Sequence, residues 1–169
     1  MANSSAATWR EMTVSDIPGL LKVADVVHPE LPESAEVFTE RVRLFPQGCL
    51  ALAADGELCG YAISHPICRN HPPALDSLLG EIIPDADQYY IHDLAILPSQ
   101  RGKGAAAEGV GRLLEVAERF PTACLISVYG TSPFWARFGF ASEPIDAALS
   151  EKLREYGEDA TFMTRRRDQ

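Results

Sequence analysis

The chain has 169 residues, 46% of them hydrophobic and 23% charged, and carries a formal net charge of −9 at neutral pH. We expect one domain over residues 1–169, because this length and composition are typical of a globular protein with a substantial core. No apolar run approaches the roughly 20 residues of a membrane span. The acidic balance disfavours nucleic acid as a partner, since phosphate binding needs a basic surface.

Residues 1–10 are small and polar and lack the apolar block of a secretory signal peptide. The four cysteines do not show the close pairing of a zinc site, so we expect neither a metal nor a disulfide. These features favour a cytoplasmic protein without a membrane partner. Whether it forms a homodimer is left open by the sequence. The cysteines are Cys49, Cys59, Cys68 and Cys124.

The first half of the chain predicts a strand, two helices and a hairpin. Thr13 and Asp16 are helix-start signals, and apolar residues recur at helical spacing as far as Val27. The pair Asp55-Gly56 predicts a two-residue turn between antiparallel strands. The expected elements are a strand at residues 8–12, helices at 17–27 and 34–44, and strands at 49–54 and 57–65.

Residues 66–88 contain four prolines and show little periodicity. We expect a long loop here, with one helical turn near residues 75–79. A long loop in a compact domain is often a lid over a substrate, and a surface insertion without that role is the alternative.

The second half alternates strands and helices. Gly109 and Gly111 weaken the long helix locally and permit close packing on a sheet. The expected elements are strands at 89–97, 122–128 and 160–165, and helices at 104–120, 133–138 and 146–156.

The strand that ends before Pro98 leads into Arg101-Gly102-Lys103-Gly104 and the start of the long helix. Glycines let the backbone approach a ligand closely, and the first N–H groups of a helix have no partner within it. Together with the positive end of the helix dipole, this order predicts a site for a phosphate-bearing cofactor.

This segment resembles the acetyl-CoA-binding core of the GNAT superfamily of N-acetyltransferases, whose pattern is Q/R-x-x-G-x-G/A. Arg101, Gly104 and Ala106 match it in register, and residues 133–140, P-F-W-A-R-F-G-F, are similar to the family's P-F-Y-x-R-x-G-F block. The element order agrees over residues 8–165. The resemblance implies an α/β (α+β) fold with a central mixed, mostly antiparallel sheet of six to seven strands. Helices would flank the sheet, which would be splayed near residues 89–97 at the acetyl-CoA site.

The same resemblance implies acetyl-CoA as co-substrate and no metal. The backbone of residues 94–96 would meet the pantetheine arm and the acetyl carbonyl, and residues 102–107 would cradle the pyrophosphate. The residues expected at the cofactor are Leu94, Ala95, Ile96, Arg101, Gly102, Lys103, Gly104, Ala105, Ala106, Ala107, Ser132 and Trp135.

Acetyl transfer to an amine needs a base, because deprotonating an alkyl ammonium at pH 7 costs roughly 4–5 kcal/mol. In the arylalkylamine branch of the superfamily, a H-L-H-A-L-A-V segment occupies the strand that corresponds to residues 89–97 here. Its two histidines align with Tyr90 and His92. His92 is the expected base and Tyr90 the second catalytic candidate. Regular alternation would place both on one face with Leu94, and Asp93 on the other with Ala95. Asp93 is the alternative base if a bulge rotates the strand.

Trp135 stands where the family usually has a tyrosine that is thought to protonate the departing thiolate. An indole N–H has no useful acidity, so that role does not transfer. Tyr129, Ser132 and water are the alternatives.

The function expected from the resemblance is acetyl transfer to a primary amine of a small molecule or peptide, by direct attack in a ternary complex. A non-catalytic acyl-CoA-binding or sensing module is the first alternative, and transfer of a larger acyl group is the second. The identity of the acceptor does not follow from the sequence. Acidic residues in the loop at 66–88 favour a cationic one.

Overall fold

The computed structural model describes residues 6–167. Residues 1–5 and 168–169 lie outside the described residues. The first five belong to residues 1–10, for which the sequence predicts no signal peptide. Each helix and strand expected from the sequence is present, with ends within three residues of those expected, and the short strand β6 is additional. The elements are β1 (Thr8–Glu11), α1 (Ile17–Val27), α2 (Ala35–Leu44), β2 (Cys49–Ala54), β3 (Glu57–Ile67), β4 (Gln88–Ile96), α3 (Ala105–Ala117), β5 (Thr122–Ser127), α4 (Ser132–Ala136), β6 (Ala141–Ser142), α5 (Ala147–Leu153) and β7 (Thr161–Arg166).

The seven strands form one sheet in the order β1-β2-β3-β4-β5-β7-β6. All neighbouring pairs are antiparallel except β4 and β5, which confirms the mixed, mostly antiparallel sheet. The turn between β2 and β3 has positive φ at both Asp55 and Gly56, as a two-residue hairpin turn requires.

Helices cover both faces of the sheet. Val110 and Leu113 of α3 lie in one core cluster, and Leu20 of α1 and Phe38 of α2 lie in a second. A third cluster surrounds Leu149 and other residues of α5. Among residues 6–167, no helix is both long and apolar enough to cross a membrane. In the same range no three His, Cys, Asp or Glu side chains are grouped as metal ligands, and the four cysteines are free thiols.

The close packing expected at the glycines of α3 is confirmed for Gly109. A Cβ there would lie 2.6 Å from the ring of Trp9, whereas one at Gly111 would meet no atom within 4 Å. The indole of Trp9 also donates to the carbonyl of Ala105 at 2.8 Å. These contacts fix the start of α3 against β1.

The sheet is splayed at β4. Its parallel pairing with β5 runs only from Gln88 opposite Thr122 to Ile91 opposite Leu125. On the other side of β4, which pairs with β3, Asp93 lies opposite Ile63 and Ile91 lies opposite Ser64. The pairing with β3 therefore skips one residue of β4. That residue is His92, and the strand therefore carries a β-bulge.

The bulge overturns the alternation expected from a regular strand. Leu94 packs with Ile91 against the cluster on the α3 face, while Ala95 lies in the cluster formed with α1 and α2. Asp93 contacts residues of that same layer, Tyr61 and His28. The extra residue therefore brings the side chains of His92 and Asp93 to one face, which a strict two-residue period cannot do.

The segment between β3 and β4 is a loop, as expected, but it contains no helix. The helical turn expected near residues 75–79 is only a turn, in which Asp76 has a φ of 55°. Side chains of the neighbouring helices hold the loop. The carboxylate of Glu40 accepts from the N–H groups of Leu79 and Gly80, and Lys152 donates to the carbonyl of Pro72 at 2.6 Å.

Candidate active site

A cavity of about 760 Å³ lies where β4 and β5 part, and its walls combine the glycine loop, the start of α3, the bulge of β4 and part of α4. It therefore unites the two sequence motifs that suggested a cofactor site. Nine of the twelve residues expected at the cofactor line it: Leu94, Ile96, Arg101, Gly102, Gly104, Ala105, Ala106, Ala107 and Trp135.

The other three lie elsewhere. Ala95 is buried in the cluster beneath α1 and α2, and Lys103 is exposed on the loop. The hydroxyl of Ser132 donates to the hydroxyl of Ser127 at 3.1 Å. Cofactor contacts stay predictions for all twelve residues, and these three do not line the cavity.

The loop before α3 has the backbone that an anion site needs. Gly102 and Gly104 have φ values of 80° and 82°, and a Cβ on either would meet no atom within 4 Å. Gly104 is the N-cap of α3 and offers no side chain to the first helical N–H groups. These groups are open to a ligand, and the helix dipole adds partial positive charge to that of Arg101.

His92 is held by a carboxylate. Its Nε2 lies 2.7 Å from Oε1 of Glu33 in the α1–α2 linker, and the two side chains are only 1% and 5% exposed. With Nε2–H donating to the carboxylate, Nδ1 carries the lone pair of a neutral imidazole. Nδ1 is buried and has no hydrogen-bond partner in the described part of the chain. This arrangement orients a histidine as a proton acceptor.

Asp93 is part of a second pair. Its Oδ1 lies 2.8 Å from Nε2 of His28, and its Oδ2 accepts from the hydroxyl of Tyr61 at 2.5 Å. Burial favours the neutral acid, but the charge and hydrogen bond of His28 outweigh it and lower the pKa of Asp93. Because a carboxylate with a lowered pKa is a weaker proton acceptor, His92 is the better base of the two.

His28 was not expected at the site. It is the C-cap residue of α1, lines the cavity and stacks on Tyr129, with ring centroids 5.6 Å apart and planes at 13°. Burial disfavours its charged form, but the carboxylate of Asp93 more than compensates and raises the pKa of His28. Its partner lies 65 positions along the chain, so no local pattern could have identified it.

Tyr90 lies behind His92 and is not among the residues that line the cavity. It is fully buried in the cluster with α5, and its ring centroid is 5.7 Å from that of His92. Burial raises the pKa of its phenol well above the usual value. The structure thus places Tyr90 in contact with the expected base but not at the cavity surface.

A family model for the acetyltransferase (GNAT) family matches residues 20–140. This match spans more than half of the chain and includes the bulge, the glycine loop and all the residues that line the cavity. The chain belongs to the GNAT family of acetyltransferases.

Solved GNAT-fold structures share its architecture. The GNAT-like decarboxylase GphF, in complex with isobutyryl-CoA, aligns with a TM-score of 0.78 at 16% identity, over 94% of this chain and 98% of that chain. Naa50 of Arabidopsis thaliana, in complex with a bisubstrate analogue, CoA-Ac-MVNAL, aligns with a TM-score of 0.70 at 11% identity, over 95% of this chain and 99% of that chain. N-acetylglutamate synthase of Neisseria gonorrhoeae, in complex with coenzyme A and N-acetyl-glutamate, aligns with a TM-score of 0.69 at 18% identity, over 99% of this chain and 37% of that chain. These identities show the fold alone, and the chain has no significant match among curated protein sequences.

In this GNAT chain, Trp135 occupies the position expected for the family's tyrosine. It lines the cavity, is 8% exposed and belongs to the core cluster on the α3 face. Its ring packs edge-on against Phe140, with centroids 5.7 Å apart. Trp135 thus shapes the cavity wall but supplies no acidic proton.

Proposed function

We propose that this protein transfers an acetyl group from acetyl-CoA to a primary amine by direct attack in a ternary complex. The observation that carries the proposal is a single cavity whose walls include both the anion-binding loop and an oriented histidine base. The CoA, isobutyryl-CoA and bisubstrate analogue bound by the three structural neighbours support a CoA thioester as the donor.

The cavity residues fit such a donor. The N–H groups at the start of α3, with Gly102 and Gly104 open to the cavity, would hold the pyrophosphate. Beyond Ile91 the edge of β4 no longer pairs with β5. That free edge, including Leu94 and Ile96, can pair with the amides of an extended pantetheine arm and direct backbone N–H groups at the acetyl oxyanion.

His92 would accept the proton of the incoming ammonium at Nδ1 while Glu33 holds Nε2. The same face carries the carboxylate of Asp93, so the local field favours a cation at the bulge. The net charge of −9 adds long-range attraction for a positively charged acceptor. Tyr90 supports the ring of His92 from behind in this scheme.

Decarboxylation is the activity named for one structural neighbour, and the carboxylate of Asp93 on the cavity wall opposes it here. A substrate carboxylate at the bulge would face Asp93, and like charges at short range disfavour binding. The same carboxylate favours an ammonium group.

The test measures thiol release from acetyl-CoA with a panel of polyamines, arylalkylamines and amino acids, and identifies the N-acetyl product by mass spectrometry. A parallel reaction follows carbon dioxide release from malonyl-CoA. We expect amine-dependent thiol release and no decarboxylation. Tight CoA binding without turnover on any amine would point to a sensing module, and amine-independent carbon dioxide release would point to a decarboxylase. Either result would contradict the proposal.

A further inference from the structure

The replacement of the family's tyrosine by Trp135 leaves the departing thiolate without its usual acid. When the C–S bond breaks, the electron pair goes to sulfur, and the thiolate must then take up a proton. A replacement acid must reach the cavity, carry a transferable proton and have no competing partner for it. Resting on the proposed function, we infer that His28, as an imidazolium, is the acid that protonates the leaving CoA thiolate.

The contacts of His28 leave one proton free. Nε2–H is committed to Oδ1 of Asp93 at 2.8 Å, while Nδ1 is buried and has no hydrogen-bond partner among the residues described. A protonated ring therefore carries an N–H at Nδ1 that no protein group uses. Asp93 keeps the ring oriented and stabilises its charge, as a carboxylate does for a catalytic histidine.

The position of His28 also fits. It lines the same cavity as Arg101 of the glycine loop and Trp135, and it is close enough to Arg101 for the guanidinium charge to act against its protonation. The ring of Tyr129 covers one face of the imidazole. His28 is thus fixed between the bulge of β4 and the segment after β5, where the strands part.

The charged groups that face His28 come from several elements. Asp93 on β4 and Glu33 in the linker favour the imidazolium, and Arg101 disfavours it. The two carboxylates prevail over burial and Arg101, so the pKa of His28 is raised. The raised pKa increases the fraction of His28 that carries the proton near neutral pH, where the thiolate forms.

The two side chains considered from sequence are weaker candidates. The hydroxyl of Ser132 donates to Ser127. The phenol of Tyr129 has a pKa raised by burial from an ordinary value near 10, which makes it a weaker acid than a thiol with a pKa near 8.5. An imidazolium, with an ordinary pKa near 6.5, is by its chemistry a stronger acid than a phenol or an alkyl hydroxyl. Of the three side chains, His28 is therefore the best proton donor to sulfur.

The protons balance over one turnover. The amine nitrogen loses two protons, which pass through His92, and sulfur gains one from Nδ1 of His28. One of the two protons released from nitrogen restores His28 through solvent, and the other leaves as the net proton of the reaction. The products are the amide and CoA with a neutral thiol.

The kinetic test compares the wild type with His28→Gln, which cannot donate a proton from a charged ring, and with His71→Gln, which removes an exposed histidine of the loop between β3 and β4. We expect His28→Gln to lower kcat about 100-fold and to remove the alkaline limb of the pH profile of kcat. KM for acetyl-CoA should stay close to the wild-type value. His71→Gln should keep both the wild-type kcat and the alkaline limb. Tyr129→Phe tests the competing acid, because it keeps the stacked ring but loses the hydroxyl. Wild-type kcat in His28→Gln, or an alkaline limb that is lost in Tyr129→Phe but not in His28→Gln, would overturn the inference.

A second measurement does not need turnover, so it separates this inference from the proposed function. The pKa of the thiol of bound CoA is followed by thiolate absorbance, with the desulfo-CoA complex as the blank. We expect a lower pKa in the wild type than in His28→Gln, because an imidazolium stabilises the thiolate. Equal values would overturn the role of His28 whether or not an acceptor amine has been found. If His28→Gln does not fold, His28→Asn is measured in its place.

Discussion

Oε1 of Glu33 lies 2.7 Å from Nε2 of His92, although the two residues are 59 positions apart in the chain. The other carboxylate oxygen of Glu33 accepts from the backbone N–H of Asp76 at 3.0 Å. One carboxylate therefore connects the α1–α2 linker, the long loop before β4 and the base proposed on β4. The orientation of that base depends on two segments outside the cofactor motif.

Glu33→Gln tests this connection. An amide can keep a hydrogen bond to His92 but cannot stabilise the imidazolium, so we expect kcat to fall at least 10-fold while KM for acetyl-CoA stays near the wild-type value. Steady-state kinetics over a range of pH give both quantities. Glu30→Gln is the matched control, since Glu30 is an exposed residue of the same linker. Equal kcat values in Glu33→Gln and the wild type would show that Glu33 does not position the base.

Gly104→Ala tests the anion loop. The φ of 82° at Gly104 costs an L-residue about 1–2 kcal/mol, so the loop should relax to another conformation that binding must reverse. We expect CoA to bind about 5- to 30-fold more weakly, as measured by titration calorimetry. Gly111→Ala, where a Cβ also meets open space but the backbone is helical, should bind CoA like the wild type. Unchanged affinity in Gly104→Ala would argue against a cofactor cradle at this loop.

Gly109→Ala tests the packing of α3 on β1. A methyl group 2.6 Å from the ring of Trp9 forces the helix or the ring to move, so we expect a loss of about 1–3 kcal/mol in the free energy of unfolding. Gly111→Ala in the same helix should gain about 0.5–1 kcal/mol from helix propensity. Urea unfolding measures both changes. Equal stabilities for the two variants would mean that Trp9 does not constrain Gly109.

His65 makes the fold sensitive to acid. It is 1% exposed on β3, and burial lowers its pKa to about 3. The unfolded chain takes up a proton near pH 6.5 and the native chain does not, so stability falls as the pH drops from about 6.5 towards 3. The slope from this group is about 1.4 kcal/mol per pH unit.

Urea midpoints measured between about pH 4 and 6.5 test this slope. We expect His65→Gln to flatten it and His71→Gln, an exposed loop residue, to leave it unchanged. Asp93 contributes only at lower pH, because its lowered pKa gives a stability that is complete above its ordinary value near 3.9 and is lost below it. A slope that persists in His65→Gln would exclude His65 as its source.

The local patterns of the sequence were sufficient for most of the fold. Periodicity, caps and the Asp55-Gly56 turn depend on neighbouring residues, and the helices and strands they predicted are present. The glycine-loop wall of the cavity could also be predicted, because residues 101–106 form a contiguous motif. Nine of the twelve residues expected at the cofactor line the cavity, and their contacts with a cofactor stay predictions.

The remainder of the site depends on contacts distant in sequence. The bulge at His92 arises from the pairing of β4 with β3, and no residue type within β4 predicts it. The sheet faces of Asp93 and Leu94 relative to His92 therefore could not be assigned correctly. The partners of the two histidines, Glu33 and Asp93, come from other elements of the fold. His28 directly follows the helix expected at residues 17–27, and its partner Asp93 lies 65 positions away.

The most direct test of the account compares the pH dependence of acetyl transfer in the wild type and His92→Gln, with saturating acetyl-CoA and an amine found in the panel. We expect the wild-type rate to fall on the acid side as the base is protonated. His92→Gln should lose at least 100-fold in kcat and should lack that acid limb, with CoA binding unchanged. A variant that keeps the wild-type rate and the acid limb would contradict the assignment of His92 as the base.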